Sequence, residues 1–254
     1  MKYVAPTRGT AARSSSTPAR RLLAALLLAV AVAVAAAPPA PPDPRAPGLS
    51  PSSRLQALSE RIRAEHQRLR TLEAEFTQHK ESEMLLEAET ARGVFSYAAP
   101  DRVRWEYVSP IPITVVIRGD EMTTWYHDLE QAERLEIGRY SQQVLRYMGA
   151  GTSLETLLQH FDVTLALPED RAAPYRLELA PRYERVAKRL AGMTVWIDPE
   201  LFLPVRIRYL EPGGDLTEYR FEDYRVNEPI PPDRFRLELP EGVVVRDVPL
   251  GRQP

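Results

Sequence analysis

Four histidines, His66, His79, His127 and His160, stand at spacings that fit no metal motif, and no H-E-x-x-H occurs. The chain has no cysteine, which excludes disulfides, thiolate metal sites, iron–sulfur clusters, Cys nucleophiles and a Cys-linked lipid anchor. There is no G-x-S-x-G nucleophile turn and no Gly-rich phosphate loop. Gly213-Gly214-Asp215 reads as the turn of a hairpin. Carboxylates are plentiful but scattered, and a pair assembled in space, as in a glycosidase, stays open at this point. No catalytic residue, metal ligand or cofactor is assigned.

The 254 residues suit one large domain or two small ones, and 44% apolar with 27% charged is the range of a globular protein. The formal charge of −2 hides an asymmetry. Residues 1–42 carry Lys2, Arg8, Arg13, Arg20 and Arg21 and no acid. Taking those five from 33 basic residues leaves 28 against 35 acidic ones, a charge of −7. A mildly acidic chain without a basic run is not built to bind nucleic acid.

Residues 22–37, LLAALLLAVAVAVAAA, follow Arg20-Arg21. A basic region, a short apolar run and an A-x-A site at Ala33-Val34-Ala35 predict a secretory signal peptide over 1–35. The alternative is an uncleaved anchor, for which sixteen apolar residues are short against a span of about 20. Cleavage would place the protein in the periplasm. Residues 36–51 are a proline-rich linker, with seven prolines between 38 and 51, expected to act as an extended tether. The domain proper is expected over 52–254, large enough to bury roughly 70% of its unfolded surface without disulfides.

Within it, Leu55, Leu58, Ile62, Leu69, Leu72 and Phe76 recur at steps of three, four or seven, which predicts a long helix from Ser53 to about Lys80. Ser53 and Gln56 form its capping-box pattern. The period then becomes two. Strands are expected at 93–98, 103–107, 113–118 and 122–126, between turn signals at Pro100-Asp101, Ser109-Pro110 and Gly119-Asp120. Helical spacing returns over 140–160 in two pieces split by Gly149-Ala150-Gly151. Further strands are expected at 161–167, 175–180, 189–197, 203–210, 215–223 and 235–246, with hairpins at Pro199-Glu200 and Gly213-Gly214. The fold class is therefore α+β: a strongly curved antiparallel sheet, an unclosed β-barrel of about ten to eleven strands, with a long N-terminal helix and a helical insert over its concave face.

The order of these pieces resembles the outer-membrane lipoprotein carrier protein family (LolA), over almost all of 52–254. Ala74-Glu75-Phe76-Thr77-Gln78 is similar to the family's A-x-F-T-Q, and Pro100 leading to Val103-Arg104-Trp105-Glu106 to its P-x-x-F-R-W-E. Gly93, Pro110 and the Val115–Gly119 segment fall in family order. Phe235 to Val245 resembles the family's F-x-x-x-x-P-x-G-V-x-V ending.

The resemblance implies a helical lid over an apolar cavity and a non-enzymatic periplasmic chaperone. Its implied partners are acylated lipoproteins, an inner-membrane ATP-driven lipoprotein-releasing complex and an outer-membrane lipoprotein acceptor, with the carrier a monomer. Val103 aligns with a cavity-facing family position, so Trp105 and Tyr107 share its face by alternation. Val115 and Ile117 alternate on the next strand. Leu145, Met148, Leu154, Leu157 and Leu158 are the lid candidates, Met being adaptable to variable acyl chains. The same residues could instead be plain core. Two departures stand out. The family's Arg before the Pro, which latches the lid, is Ala99 here, and its Phe is Val103. Arg104 is the nearest substitute for a lid contact, although alternation turns it to the other face. A lipoprotein or glycolipid sensor, or a carrier of another amphiphilic lipid, would use the same fold.

Overall fold

A computed structural model describes residues 41–82, 87–138 and 154–248. The expected signal peptide, the helical piece before Gly149 and the lid candidates Leu145 and Met148 lie outside the described residues.

Helix α1 spans Pro51–Arg68. Its cap is Ser50, whose hydroxyl accepts from the Ser53 amide, and Pro51 fills the first turn, where a missing N–H costs nothing. The expected box between Ser53 and Gln56 is not the cap; Gln56 instead donates to Glu60 at 3.0 Å. The helix also stops a dozen residues before the expected end. Leu69 turns extended, and Thr71–Glu81 is strand β1. The reason is arithmetic: the step of four from Leu72 to Phe76 fits a helix and two strand periods equally. Pairing on both sides of β1 decides for the strand, with Leu72, Ala74 and Phe76 buried.

Five strands follow β1 as a meander: β2 Glu89–Ala98, β3 Arg102–Ser109, β4 Ile113–Arg118, β5 Glu121–Tyr126 and β6 Gln131–Glu136. Helix α2 is Leu154–His160. A second meander follows: β7 Phe161–Ala166, β8 Tyr175–Pro181, β9 Gly192–Ile197, β10 Pro204–Leu210 and β11 Leu216–Val226, with a short helix α3, Glu184–Ala187, before β9. The chain ends in a 3-10 turn at Pro232–Phe235 and strand β12, Val244–Val248. The expected strand over 235–246 is thus mostly absent, because Pro240 and the positive φ of Gly242 break it.

All twelve strands form one sheet, in the order β12-β6-β5-β4-β3-β2-β1-β11-β10-β9-β8-β7. β12 and β7 are its two ends, so the sheet is open. Twist accumulated over so many strands curves it. The count exceeds the expected ten to eleven, and the sheet is not wholly antiparallel. β12 runs parallel to β6, from Val244 opposite Gln131 to Val248 opposite Leu135. A parallel partner needs a long return, which residues 227–243 supply.

Alternation divides the sheet into two faces. On one face Leu58 and Ile62 of α1 and Leu154 of α2 pack on Phe161, Tyr175, Leu177, Leu179, Val195 and Ile197 of β7–β9. Full burial of a side chain such as Leu58 contributes about 2 kcal/mol. The end of the proline-rich stretch joins this unit rather than hanging free. Pro44 is buried, Arg45 stacks 4.7 Å over the Tyr175 ring, and its guanidinium donates to the Arg171 and Ala173 carbonyls. Folded chain therefore begins before Ser52.

The opposite face carries the charge. The C-terminal segment crosses it and is held there by Phe235, 1% exposed, and by Arg234, whose Nη1 bonds Glu106 at 2.8 Å. Arg104 pairs with the same Glu106 at 3.0 Å, and that hydrogen bond, ahead of the cost of burial, holds the carboxyl below its ordinary range. Farther along, Glu218 accepts from Arg206, Arg208 and Arg220. Burial pushes its carboxyl upward, but the three guanidiniums outweigh this and bring it to about 2.

Gly93 is the tightest point in the sheet. A Cβ there would lie 1.9 Å from the Glu106 carbonyl oxygen and 2.6 Å from the Phe76 ring. Gly93→Ala is expected to cost about 3 kcal/mol or more in urea unfolding, because strand backbone has to move. Gly213→Ala, with nothing within 4 Å, should change stability by less than about 0.5 kcal/mol. Equal effects would overturn this account of the Phe76 site. The Glu218 cluster predicts a pH window. Its folded carboxyl lies below the ordinary 4.5, so its stabilisation is full above pH 4.5 and disappears as the pH falls through about 2. The gap in stability between wild type and Glu218→Gln, about 3 kcal/mol at neutral pH, should close over that range in urea titrations; a gap that persists at the acid end contradicts it.

Candidate functional site

The candidate site is built on the apolar face of β1–β4 and β10–β11. Register brings the five strand residues singled out in the sequence together. Val103 pairs with Ile117, Trp105 with Val115, and Tyr107 with Ile113. Since cross-strand partners share a face, Val103, Trp105, Tyr107, Val115 and Ile117 form one patch. All five belong to one apolar cluster, in which Val103 and Ile117 are fully buried and Tyr107 and Val115 partly so.

Trp105 is the hub of that cluster. Its ring centroid lies 5.0 Å from Phe76, 5.1 Å from Phe95, 5.6 Å from Tyr219 and 6.1 Å from Phe221, in tilted or edge-on contacts. Such pairs add to burial because the positive ring edge meets a negative ring face. Phe76 also meets Tyr107 edge-on at 5.0 Å, over the space that Gly93 leaves open. The sequence reading missed Phe95, Tyr219 and Phe221 as site residues. Their signal was present as alternation within 93–98 and 215–223, but which face met Trp105 depended on the pairing of β1 with β11.

The cluster is apolar, but the face carries charge at its margins: alternation puts Lys80 of β1 on the Phe76 side, and the pairing of Val115 with Thr124 and of Thr124 with Glu133 puts Glu133 of β6 there too. None of the cluster members is an acid or a base. The polar groups of the cluster are phenols and an indole: the Tyr107 and Tyr219 hydroxyls stand 3.4 Å apart, and the Trp105 N–H is buried beside them. Burial, followed by the neighbouring Tyr219, pushes the Tyr107 phenol far above its ordinary range. Burial likewise moves Tyr209 up to about 12. These phenols stay neutral O–H groups across the physiological range. They can donate to or accept from an ester or amide but cannot serve as ionised bases near neutral pH.

The remaining candidates lie elsewhere. Leu154, Leu157 and Leu158 of α2 pack in the second cluster, with Leu58, Ile62 and Phe161 rather than with Trp105. Arg104 stands on the opposite face, as alternation requires. There it bonds Glu106 and lies 3.5 Å from the Arg234 carbonyl, so its described contacts hold the C-terminal segment. The Ala99 amide donates to the Arg70 carbonyl at 2.8 Å. Several carboxylates meet in space: Glu75 stands opposite Glu222 and Glu121 opposite Glu136, while Glu73 and Glu106 share Arg234 on the charged face, where Glu73 also accepts from the Ser96 hydroxyl. His127 stacks on Trp125 at 3.6 Å and bonds the buried Thr114 hydroxyl at 2.9 Å. Among the described residues no cluster of three His, Asp or Glu is placed to hold a metal.

The family described as outer membrane lipoprotein carrier protein LolA matches residues 67–238, more than half of the chain. An outer-membrane lipoprotein carrier protein of Alkalilimnicola ehrlichii is 32% identical over 193 residues, covering 72% of this chain and 80% of the relative. One from Halorhodospira halophila is 26% identical over 204 residues, covering 76% and 86%. Among solved structures, an uncharacterized conserved protein from Thermus thermophilus superposes with a TM-score of 0.49 at 14% identity, over 75% of this chain and 99% of that one. By the extent of the family match and the identity to the Alkalilimnicola protein, this chain belongs to the outer membrane lipoprotein carrier protein family.

Proposed function

We propose that the protein is a periplasmic carrier that takes up the acyl chains of lipoproteins on the apolar face around Trp105. It would accept them from an ATP-driven releasing complex in the inner membrane and hand them to an acceptor in the outer membrane. The observation that carries this reading is the character of that face: a contiguous aromatic and aliphatic cluster on a broad curved sheet, whose polar groups are neutral phenols and the Trp105 indole N–H, with charge only at its margins. The names of the relatives, outer-membrane lipoprotein carrier proteins, point the same way. Among the described residues no helix is long and apolar enough to cross a membrane.

The physical need is clear. Each buried CH₂ of a lipid chain is worth about 0.8 kcal/mol, so a sixteen-carbon chain left in water costs roughly 12 kcal/mol, and three chains about three times that. Crossing an aqueous gap requires a protein surface of comparable apolarity. Tight side-chain complementarity would defeat the purpose, because cargo must also leave. Val103, Trp105, Tyr107, Val115 and Ile117 are the proposed contact residues. Leu145, Met148, Leu154, Leu157 and Leu158 are the proposed apolar lid, with Leu154, Leu157 and Leu158 forming the end that rests on α1 and β7 rather than on Trp105. The mechanism is differential burial without bond making.

The three tryptophans allow a direct test. Trp105 lies on the apolar face, whereas alternation puts Trp125 and Trp196 on the other. A lipopeptide with brominated acyl chains should quench Trp105 emission. Quenching should survive in the Trp125→Phe/Trp196→Phe variant and vanish in Trp105→Phe. Unchanged quenching in Trp105→Phe would place the acyl chains elsewhere. In parallel, the protein added to spheroplasts with ATP should release lipoproteins in soluble complex with it. Extraction of phospholipid or glycolipid alone would instead indicate a carrier or sensor of a different amphiphile.

A further inference from the structure

The charged face of the second meander contains an arrangement that fold stability does not require. Glu218 is 6% exposed at its side chain, and one arginine would neutralise it, yet three converge there. Arg206 and Arg220 are directly opposite one another on β10 and β11. Like charges at opposed positions destabilise a sheet pair. Arg208 adds a third charge on the same face two residues on. The cluster therefore holds two positive charges more than Glu218 alone balances, with Glu222 and Glu75 beyond Arg220 on the same face as the next carboxylates.

Their placement is ordered. The Arg206 guanidinium lies 4.4 Å over the Trp196 ring and that of Arg208 lies 5.5 Å over it, which holds both close to the sheet surface. Glu218 takes up only the few donors that face it, leaving most of the N–H groups of three guanidiniums free of it. The side chains remain 29%, 38% and 59% exposed for Arg206, Arg208 and Arg220. Register extends the row in both directions. Arg92 precedes Arg220 across Thr77 of β1, and Arg176, itself paired with Glu178, follows Trp196 on β8. Six strands at about 4.8 Å spacing make a stripe roughly 24 Å long.

We propose that this stripe docks the protein on an anionic membrane surface through lipid phosphate headgroups. Guanidinium forks match phosphate oxygens, and a partly exposed Trp suits the headgroup layer. The stripe is shallow and long, which fits an array of headgroups better than one enclosed free anion. It lies on the face opposite Trp105, so a molecule held this way keeps its apolar face turned from the membrane plane. The inference goes beyond cargo binding and does not depend on it.

Vesicle flotation tests it, using phosphatidylethanolamine vesicles with about one third phosphatidylglycerol against pure phosphatidylcholine. Wild type should float with the anionic vesicles and not with phosphatidylcholine, and the binding should weaken with salt. Arg206→Gln/Arg208→Gln should bind about tenfold more weakly or worse, while still showing acyl-chain quenching of Trp105. Arg220→Gln, at the most exposed of the three, guards against a folding defect and should weaken binding in the same direction. Arg246→Gln, an equal charge change on the exposed edge strand β12, should leave binding unchanged. No binding of wild type to anionic vesicles, or equal losses in Arg246→Gln and Arg220→Gln, would overturn the proposal. Complete competition by millimolar inorganic phosphate at constant ionic strength would overturn it too, as the mark of a free-anion site.

Discussion

The pairing of β1 with β11 is the contact on which the rest of the sheet depends. It joins residues more than 130 positions apart and welds two meanders, each made of local hairpins, into one twelve-stranded sheet. Phe76 from β1 and Phe221 from β11 stand opposite one another at that seam, and both reach Trp105. Without the seam each meander would offer only part of an apolar face. The glycine at position 93 belongs to the same constraint, since the Phe76 ring occupies the space a side chain there would take. Non-local pairing of this kind carries a loop-closure cost before any contact compensates it. The aromatic cluster built across the seam is what offsets that cost.

A sheet with one apolar and one charged face separates two tasks. One face is centred on the apolar Trp105 cluster, whose buried phenols stay neutral near neutral pH. The charged face holds the molecule together through Arg–Glu networks. Arg104, Glu106, Arg234 and Glu73 tie the C-terminal segment across the back of the first meander, so β12 can reach β6 from the side and run parallel to it. In the second meander the network around Glu218 has more arginine than a purely structural role accounts for. Placing the Arg–Glu networks on the opposite face keeps the desolvation of ions away from the Trp105 cluster.

Much of this was legible in the sequence. The strands β2 to β5 and β7 to β11 followed from alternation, β-branched and aromatic residues, and the Pro- and Gly-marked turns between them. The common face of Val103, Trp105 and Tyr107 followed from period two alone, as did the turning away of Arg104. Order and spacing of short motifs carried the family. These features are local, and local steric and hydrophobic patterns act within a few residues.

Tertiary structure decided what local pattern leaves degenerate. The segment from Thr71 to Glu81 satisfied helical and strand periods at once, and only two neighbouring strands made it β1. The helix cap moved from Ser53 to Ser50, whose hydroxyl accepts from the Ser53 amide while Pro51 starts the first turn. The register of β4, and with it the place of Val115 and Ile117 beside Trp105, required the β3–β4 pairing to be seen. Phe95, Tyr219 and Phe221 joined the site through contacts across the sheet that no spacing announces. The parallel pairing of β12 and the anchoring of Arg45 on Tyr175 depend on chain returning from far away. Residue order alone sets which side chains alternate and where the chain turns. Which alternating faces meet was settled by three-dimensional pairing, because hydrophobic burial rewards contact irrespective of distance along the chain.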